Sequence, residues 1–251
     1  IYAGDDPDYL AHATAIAYGT FPDYSKEGNS VYLFAHPVGA GLMASPFVFV
    51  FSLIDRIADD PVTTARTVPN LFQSWTAFGF VVASQFYVLL GIFLLLLLLK
   101  DRIKSEQAPL ALSLGVLTSG VLLYAYRRPV FSHAYEFFAV SWGVSLFLGG
   151  FFPVEGKSPA SPWRVFPAAF LMYLARTNNA VLGAAFMLAA GFHQGTEGKK
   201  GKACWKKALP AVMFLGAVLL TEYLLGRFIT DSKYNFYDAA SAVPRDIKQS
   251  V

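Results

Sequence analysis

The chain has 251 residues with a formal net charge of +3; 55% are hydrophobic, 16% aromatic and 15% charged. Soluble domains carry about 25% charged residues, so this chain cannot clothe a globular surface, and its mean hydropathy of +0.45 makes lipid the natural solvent. The positive charge is confined to a few loops with no basic stripe interleaved with stacking aromatics, which excludes nucleic acid as a partner, and the single cysteine, Cys204, excludes an internal disulfide and argues against a cysteine metal site.

The chain opens on a polar stretch from Ile1 to about His36, with turn signals at Asp6-Pro7, Phe21-Pro22 and Glu27-Gly28-Asn29. An opening of this kind predicts that a membrane segment precedes Ile1. Tyr9 to Tyr18 reads as an amphipathic helix. Residues 37–54 are apolar but carry Pro37, Gly39, Gly41 and Pro46, and are short for a span. Residues 55–76 are polar. Residues 77–99 suffice to cross a hydrocarbon core of about 30 Å. Residues 109–125 and 135–152 are further spans. Residues 163–192 are apolar on both sides of Arg176-Thr177-Asn178-Asn179, and 208–226 form the last span. The tail 227–251 is polar and aromatic and is expected to begin further sequence.

Two topologies fit these segments. In one, 37–54 and 163–192 each cross once. In the other, 37–54 lies along the interface and 163–192 is two short helices that turn at Arg176–Asn179. The positive-inside rule favours the second. It puts Lys100, Arg102 and Lys104, Lys157 and Arg164, and the lysines of His193–Lys207 on the cytoplasmic side. The first leaves Lys100–Lys104 outside and Arg176 in mid-membrane, where a charge costs roughly 3 kcal/mol or more. The expectation is an all-α polytopic transmembrane helical bundle with juxtamembrane interface helices in the first outer loop. Its parts are the outer loop 1–76, a bundle of about six spans over 77–226, and the outer tail 227–251.

The second topology gathers three polar groups on the outer face: Asp5 and Asp6 with Tyr9, the run from Arg127 to Glu136, and Arg176–Asn179; His36 joins them. Paired carboxylates suit general-base work, or hold a divalent cation with water and phosphate oxygens. Taken alone, Asp5-Asp6-Pro7-Asp8 reads first as a solvated turn that caps the following helix. Arg127 and Arg128 either snorkel to headgroups or capture an anionic phosphate. Arg176 interrupts an apolar stretch, and an intramembrane ionisable residue is a functional candidate by default. Glu136 opens a span and also suits a helix N-terminus. His133 and His36 are lone imidazoles, and Ser132 beside His133 is no signal of a nucleophile dyad. No phosphate-cradling Gly-rich loop is present, which argues against a soluble nucleotide substrate.

The order of motifs resembles the GT-C membrane glycosyltransferases, the superfamily of protein O-mannosyltransferases and aminoarabinose lipid A transferases. Gly4-Asp5-Asp6 followed by Tyr9 is similar to the acidic motif of that family's first outer loop, where the pair is usually Asp-Glu. His36-Pro37-Val38-Gly39 looks like the stretch that opens its juxtamembrane helix. Arg66-Thr67-Val68-Pro69 resembles the Arg before the second span, and Leu174-Ala175-Arg176-Thr177-Asn178 a later basic pattern near the outer face. The resemblance implies inverting transfer of a sugar from a polyprenyl-phosphate carrier to a glycan, lipid or protein acceptor, on the outer face of a bacterial inner or plasma membrane. By analogy Asp5 is the base, with Asp6 assisting or holding Mg or Mn. Arg176 and Arg128 hold the lipid phosphate, and Tyr9, His36, His133, Glu136 and Asn178 line the cavity. A transporter or flippase of lipid-linked sugars would use the same arginines without the acidic base, and a non-catalytic membrane subunit would need neither.

Overall fold

The computed structural model describes residues 6–21, 37–58, 74–102, 107–127, 132–151, 161–193 and 204–230. Among them every regular element is helical: α1 Asp6–Ala17, α2 Gly39–Ile57, α3 Trp75–Arg102, α4 Ala108–Thr118, α5 Val121–Tyr126, α6 His133–Phe151, α7 Phe166–Ala175, α8 Asn179–His193 and α9 Cys204–Thr230, with a 3-10 turn at Pro162–Arg164. By length and composition α2, α3, α6 and α9 are able to cross a membrane; 109–118, 166–175 and 179–192 are shorter apolar helices. The chain is an all-helical integral membrane protein.

The helices run so that one end of the bundle collects the polar residues. α3 and α6 are parallel, since Phe80 meets Tyr135, Tyr87 meets Phe138, Ser145 donates to the Leu94 carbonyl, and Arg102 donates to the Leu148 carbonyl. α7 returns against α6, with Gly143 at Met172 and Glu136 at Arg176. α8 turns back from α7, and α9 runs antiparallel to α8, with Gly183 at Phe214 and Gly191 at Lys207. The starts of α6 and α8 and the end of α7 therefore share one level. Lys100, Arg102 and Lys207 lie toward the opposite end.

α1 and α2 are drawn into that polar end by small residues. A Cβ on Gly41 would stand 2.4 Å from the Cβ of His12, and one on Gly39 would stand 2.2 Å from the Leu174 carbonyl carbon. Only glycine lets α2 pass this close to α1 and to the end of α7. α1 is buried on every side from Asp8 to Ala15, not amphipathic as the sequence suggests. Its alanines and Thr14 leave room for neighbours all round, and a helix enclosed all round has no solvent face. Asp8 is thus a buried carboxylate inside α1, not part of a solvated turn.

α2 starts and ends later than 37–54 and is long and apolar enough to cross a membrane, where the sequence reading laid it along the interface as short for a span; it packs antiparallel along α3, with Phe47 on Phe86 and Tyr87, and Phe51 on Trp75 and Phe78. Asp55 closes this hairpin. It is 1% exposed and accepts hydrogen bonds from Ser74 Oγ (3.0 Å), Trp75 N (3.0 Å), Thr76 N (2.8 Å) and Thr76 Oγ1 (2.5 Å). The carboxylate caps the positive N-terminus of α3 from a neighbouring helix. Asp55→Ala is expected to cost about 2–4 kcal/mol, because two backbone N–H groups and two hydroxyls lose their acceptor together. A clear fall in thermal melting temperature in detergent checks this, and an unchanged melt would refute it.

The segment 109–125 is not one continuous helix but two, α4 and α5. Ser119 is extended (φ −81°, ψ 161°), and its Oγ accepts from Val121 N at 3.3 Å, so Ser119 ends one helix and starts the next. α9 is longer than 208–226 at both ends and begins at Cys204 within the Lys-rich stretch.

Candidate functional site

Glu136 is the hub of the polar end. It lies one turn into α6, and its side chain is 19% exposed. Its Oε1 accepts from Asn179 Nδ2 at 2.9 Å. Its Oε2 accepts from Arg176 Nη1 at 3.2 Å and lies 3.2 Å from His133 Nδ1. Arg176 Nη1 also stands 3.4 Å from His133 Nδ1, so one carboxylate oxygen, one guanidinium nitrogen and one imidazole nitrogen form a close triangle. The Tyr124 ring of α5 sits 4.1 Å from the imidazole, centroid to centroid, tilted by 41°. The His133 side chain is 27% exposed and that of Arg176 is 45% exposed.

The local backbone explains the convergence. α7 stops at Ala175 because Arg176 is extended (φ −160°, ψ 121°). The chain then turns, with Asn179 N donating to the Arg176 carbonyl at 2.9 Å. Asn179 opens α8 and its amide also donates to the Met172 carbonyl at 3.3 Å, which ties the last turn of α7 to the first of α8. The break in 163–192 read from charge is present, and it delivers Arg176 to Glu136.

α1 joins the same end. Tyr9 is 4% exposed, and its hydroxyl donates to Ser132 Oγ at 3.1 Å, immediately before His133. Asp6 is the first residue of α1, one turn from Tyr9, so the start of α1 faces the end of the bundle that carries His133 and Glu136.

Of the residues singled out in the sequence, Tyr9, His133, Glu136 and Arg176 are brought to one end of the bundle. Asn178 is exposed in the turn, and its neighbour Asn179 makes the contact instead. Asp5, His36 and Arg128 lie outside the described residues, as does the motif Arg66–Pro69, and of Asp6 only the backbone is described. Among the described residues no group of three or more His, Cys, Asp and Glu is placed to hold a metal ion. The Mg or Mn expected at Asp5 and Asp6 falls on side chains outside the described residues.

Sequence reading missed four features here. Asn179 is one residue from a named candidate. Tyr124 stands in an apolar run of the sequence and leaves no signal there. Asp8 and His12, 3% and 1% exposed, stand at the i, i+4 spacing of one helix face, which was readable. Tyr173 donates to Glu222 Oε1 at 3.0 Å, joining α7 to α9 one turn from Arg176.

The fold and this cluster define a class: a polytopic, all-helical membrane protein with an arginine–carboxylate–imidazole site at one end. No protein-family model, curated protein or solved structure matches the chain.

Proposed function

We propose that the protein is a membrane glycosyltransferase that moves a sugar from a polyprenyl-phosphate carrier to an acceptor hydroxyl on the extracytoplasmic face of a bacterial inner or plasma membrane. The observation that supports it is the meeting of Arg176 with Glu136 at the end of the bundle where α1 begins at Asp6, the second residue of the acidic pair. A base and a phosphate-holding cation at one site are what the reaction requires.

Asp5 takes the proton of the acceptor hydroxyl. The acceptor oxygen bonds to the anomeric carbon as the bond from that carbon to the phosphate oxygen breaks, which inverts the configuration. Polyprenyl phosphate leaves with one more negative charge than it carried in the diester. Arg176, with Arg128, offsets that charge. Among the described residues Arg176 donates only through Nη1, so the rest of its guanidinium fork is open to the phosphate. Tyr9, His36, His133 and Glu136 shape the cavity, and Asp6 assists the base or holds Mg or Mn, which would supply Lewis-acid assistance.

The protein reconstituted in liposomes with a short polyprenyl-phosphate-linked hexose is expected to release polyprenyl phosphate and to give glycosylated acceptor of inverted configuration. Movement of the donor between leaflets with no release would sink the transferase reading in favour of a transporter.

A further inference from the structure

The polar end of α6–α9 is not the end of α2 and α3. A Cβ on Gly91 of α3 would stand 3.2 Å from the Phe138 Cα of α6, so Glu136, just before Phe138 in this parallel helix, lies level with Leu89. At a rise of 1.5 Å per residue, the start of α3 at Trp75 stands about 21 Å beyond that level. α2 gives the same height independently. It leaves from the level of Leu174, just before Arg176, where Gly39 meets the α7 backbone, and Asp55 ends it against the start of α3. Gly39 to Asp55 is about 24 Å of helix. In the other direction, Glu136 is about 18 Å from Leu148, whose carbonyl accepts from Arg102, and Asn179 is about 18 Å from Gly191, which meets Lys207. The cluster therefore sits midway between a rim at Arg56 and Trp75 and a basic rim at Arg102 and Lys207.

The part of α2 that rises past the cluster is inside out. Gly41, Ser45, Val48, Ser52 and Asp55 form its buried stripe, at helical spacing. The serines are satisfied within the helix, Ser45 Oγ donating to the Leu42 carbonyl at 2.8 Å and Ser52 Oγ to the Phe49 carbonyl at 2.7 Å. The opposite stripe, Leu42, Pro46, Val50, Leu53 and Ile57, is exposed along the whole helix. Small and polar residues inward with branched apolar residues outward is the pattern of a helix in lipid, and an apolar face of this length is not left to water. The stripe is continuous with a second one: the Phe47 ring meets Phe86, which heads the exposed face Phe86, Leu89, Phe93 and Leu97 of the long apolar helix α3.

We infer that the acyl chains of the bilayer cover the outer stripe of α2 along its whole length, so that the Glu136–Arg176 cluster lies about 20 Å below the membrane surface, near mid-depth, at the floor of a water-filled recess that opens toward Trp75. α3 from Trp75 to Arg102 is about 40 Å long, the thickness of a bilayer with its headgroup regions. Trp75, half exposed at one rim, suits the aromatic belt, and Arg56 beside it, over the Tyr18 ring, reaches the headgroups. An arginine at mid-depth is costly in hydrocarbon. Glu136 neutralises Arg176, and the exposed part of its side chain faces the water of the recess. α6 and the α7–α8 turn stop at the cluster, while α1, α2 and α3 rise past it as the wall, α1 from Tyr9 at Ser132 to Tyr18 at Arg56. This depth stands independently of the transferase reading; on that reading, the lipid phosphate descends from the headgroup level to reach Arg176.

The test is depth-dependent fluorescence quenching of the full chain in dioleoyl phosphatidylcholine vesicles. Cys204 is the only cysteine, so Cys204→Ser gives a background for one bimane label at a time, at Ile57→Cys or Asn178→Cys, both exposed positions. Thermal melting reports whether each variant folds, and Thr177→Cys serves if Asn178→Cys does not. The label at 57 is expected to be quenched most by a nitroxide on the lipid headgroup and the label at 178 by a nitroxide far down the acyl chain, the two depths differing by about 15–20 Å. Iodide in the aqueous phase is expected to quench the label at 178 as well. Strongest quenching at 178 by the headgroup nitroxide, or no quenching at 57 by any lipid nitroxide, overturns the placement of the cluster. A label at 178 that iodide does not reach overturns the recess. No sugar donor takes part, so failure here leaves the transferase reading standing, and failure of transfer leaves the depth standing.

Discussion

Arg176→Ala is expected to lower kcat/KM for sugar transfer by about 10²–10³-fold, the loss typical of removing one fixed donor from a developing negative charge. The geometry separates this from a folding defect. The Arg176 side chain is 45% exposed and contacts Glu136 through one nitrogen. An exposed pair of this kind contributes about 1 kcal/mol or less to stability. Glu136 keeps Asn179 on Oε1 and His133 beside Oε2 when Arg176 is gone. The α7–α8 turn is held by Asn179 rather than by the arginine side chain. The variant therefore folds, and its melting curve in detergent stays close to that of the wild type while turnover collapses. Arg176→Lys should recover only part of the loss, because an ammonium is a point charge without the planar fork. Transfer by Arg176→Ala within a few-fold of the wild type would remove it from the reaction.

The parts of this fold that were legible in the sequence are those governed by the cost of charge in lipid. Arg176 in an apolar stretch forced a break at 176–179, and α7 ends at Ala175 while α8 starts at Asn179. The continuous apolar run 77–99 is α3 within a few residues. What was not legible depends on neighbours. The stretch Tyr9–Tyr18 reads as amphipathic because His12 and Thr14 are polar, yet both are inside, with α2 closing over His12 at Gly41. The split between α4 and α5 rests on Ser119, a residue that spans tolerate. The exchange of Asn178 for Asn179 is a matter of phase: successive residues on a helix point about 100° apart, so a correct turn with a one-residue error sends the wrong side chain to Glu136. Tyr124 was invisible for a similar reason, as nothing along α5 says which ring will meet an imidazole of α6.

Asp5→Asn should abolish transfer, with kcat lower by about 10²–10⁴-fold, because asparagine matches the shape of the carboxylate and cannot accept the acceptor proton. The nearby acids make this prediction discriminating. Asp8 lies on the same short stretch but is 3% exposed within α1, where altering a buried carboxyl disturbs whatever hydrogen bonds satisfy it. Asp8→Asn is therefore expected to lower the melting temperature, and Asp5→Asn is expected to leave it unchanged. Tyr9→Phe removes the hydroxyl that donates to Ser132 and tests whether α1 is held against α6 through that bond: a loose α1 raises KM and lowers kcat together, whereas loss of the base lowers kcat alone. If Asp5→Asn turns over normally while Asp8→Asn melts like the wild type and is inactive, the base is Asp8. The site then lies a turn deeper in α1, beside Tyr9 and Ser132.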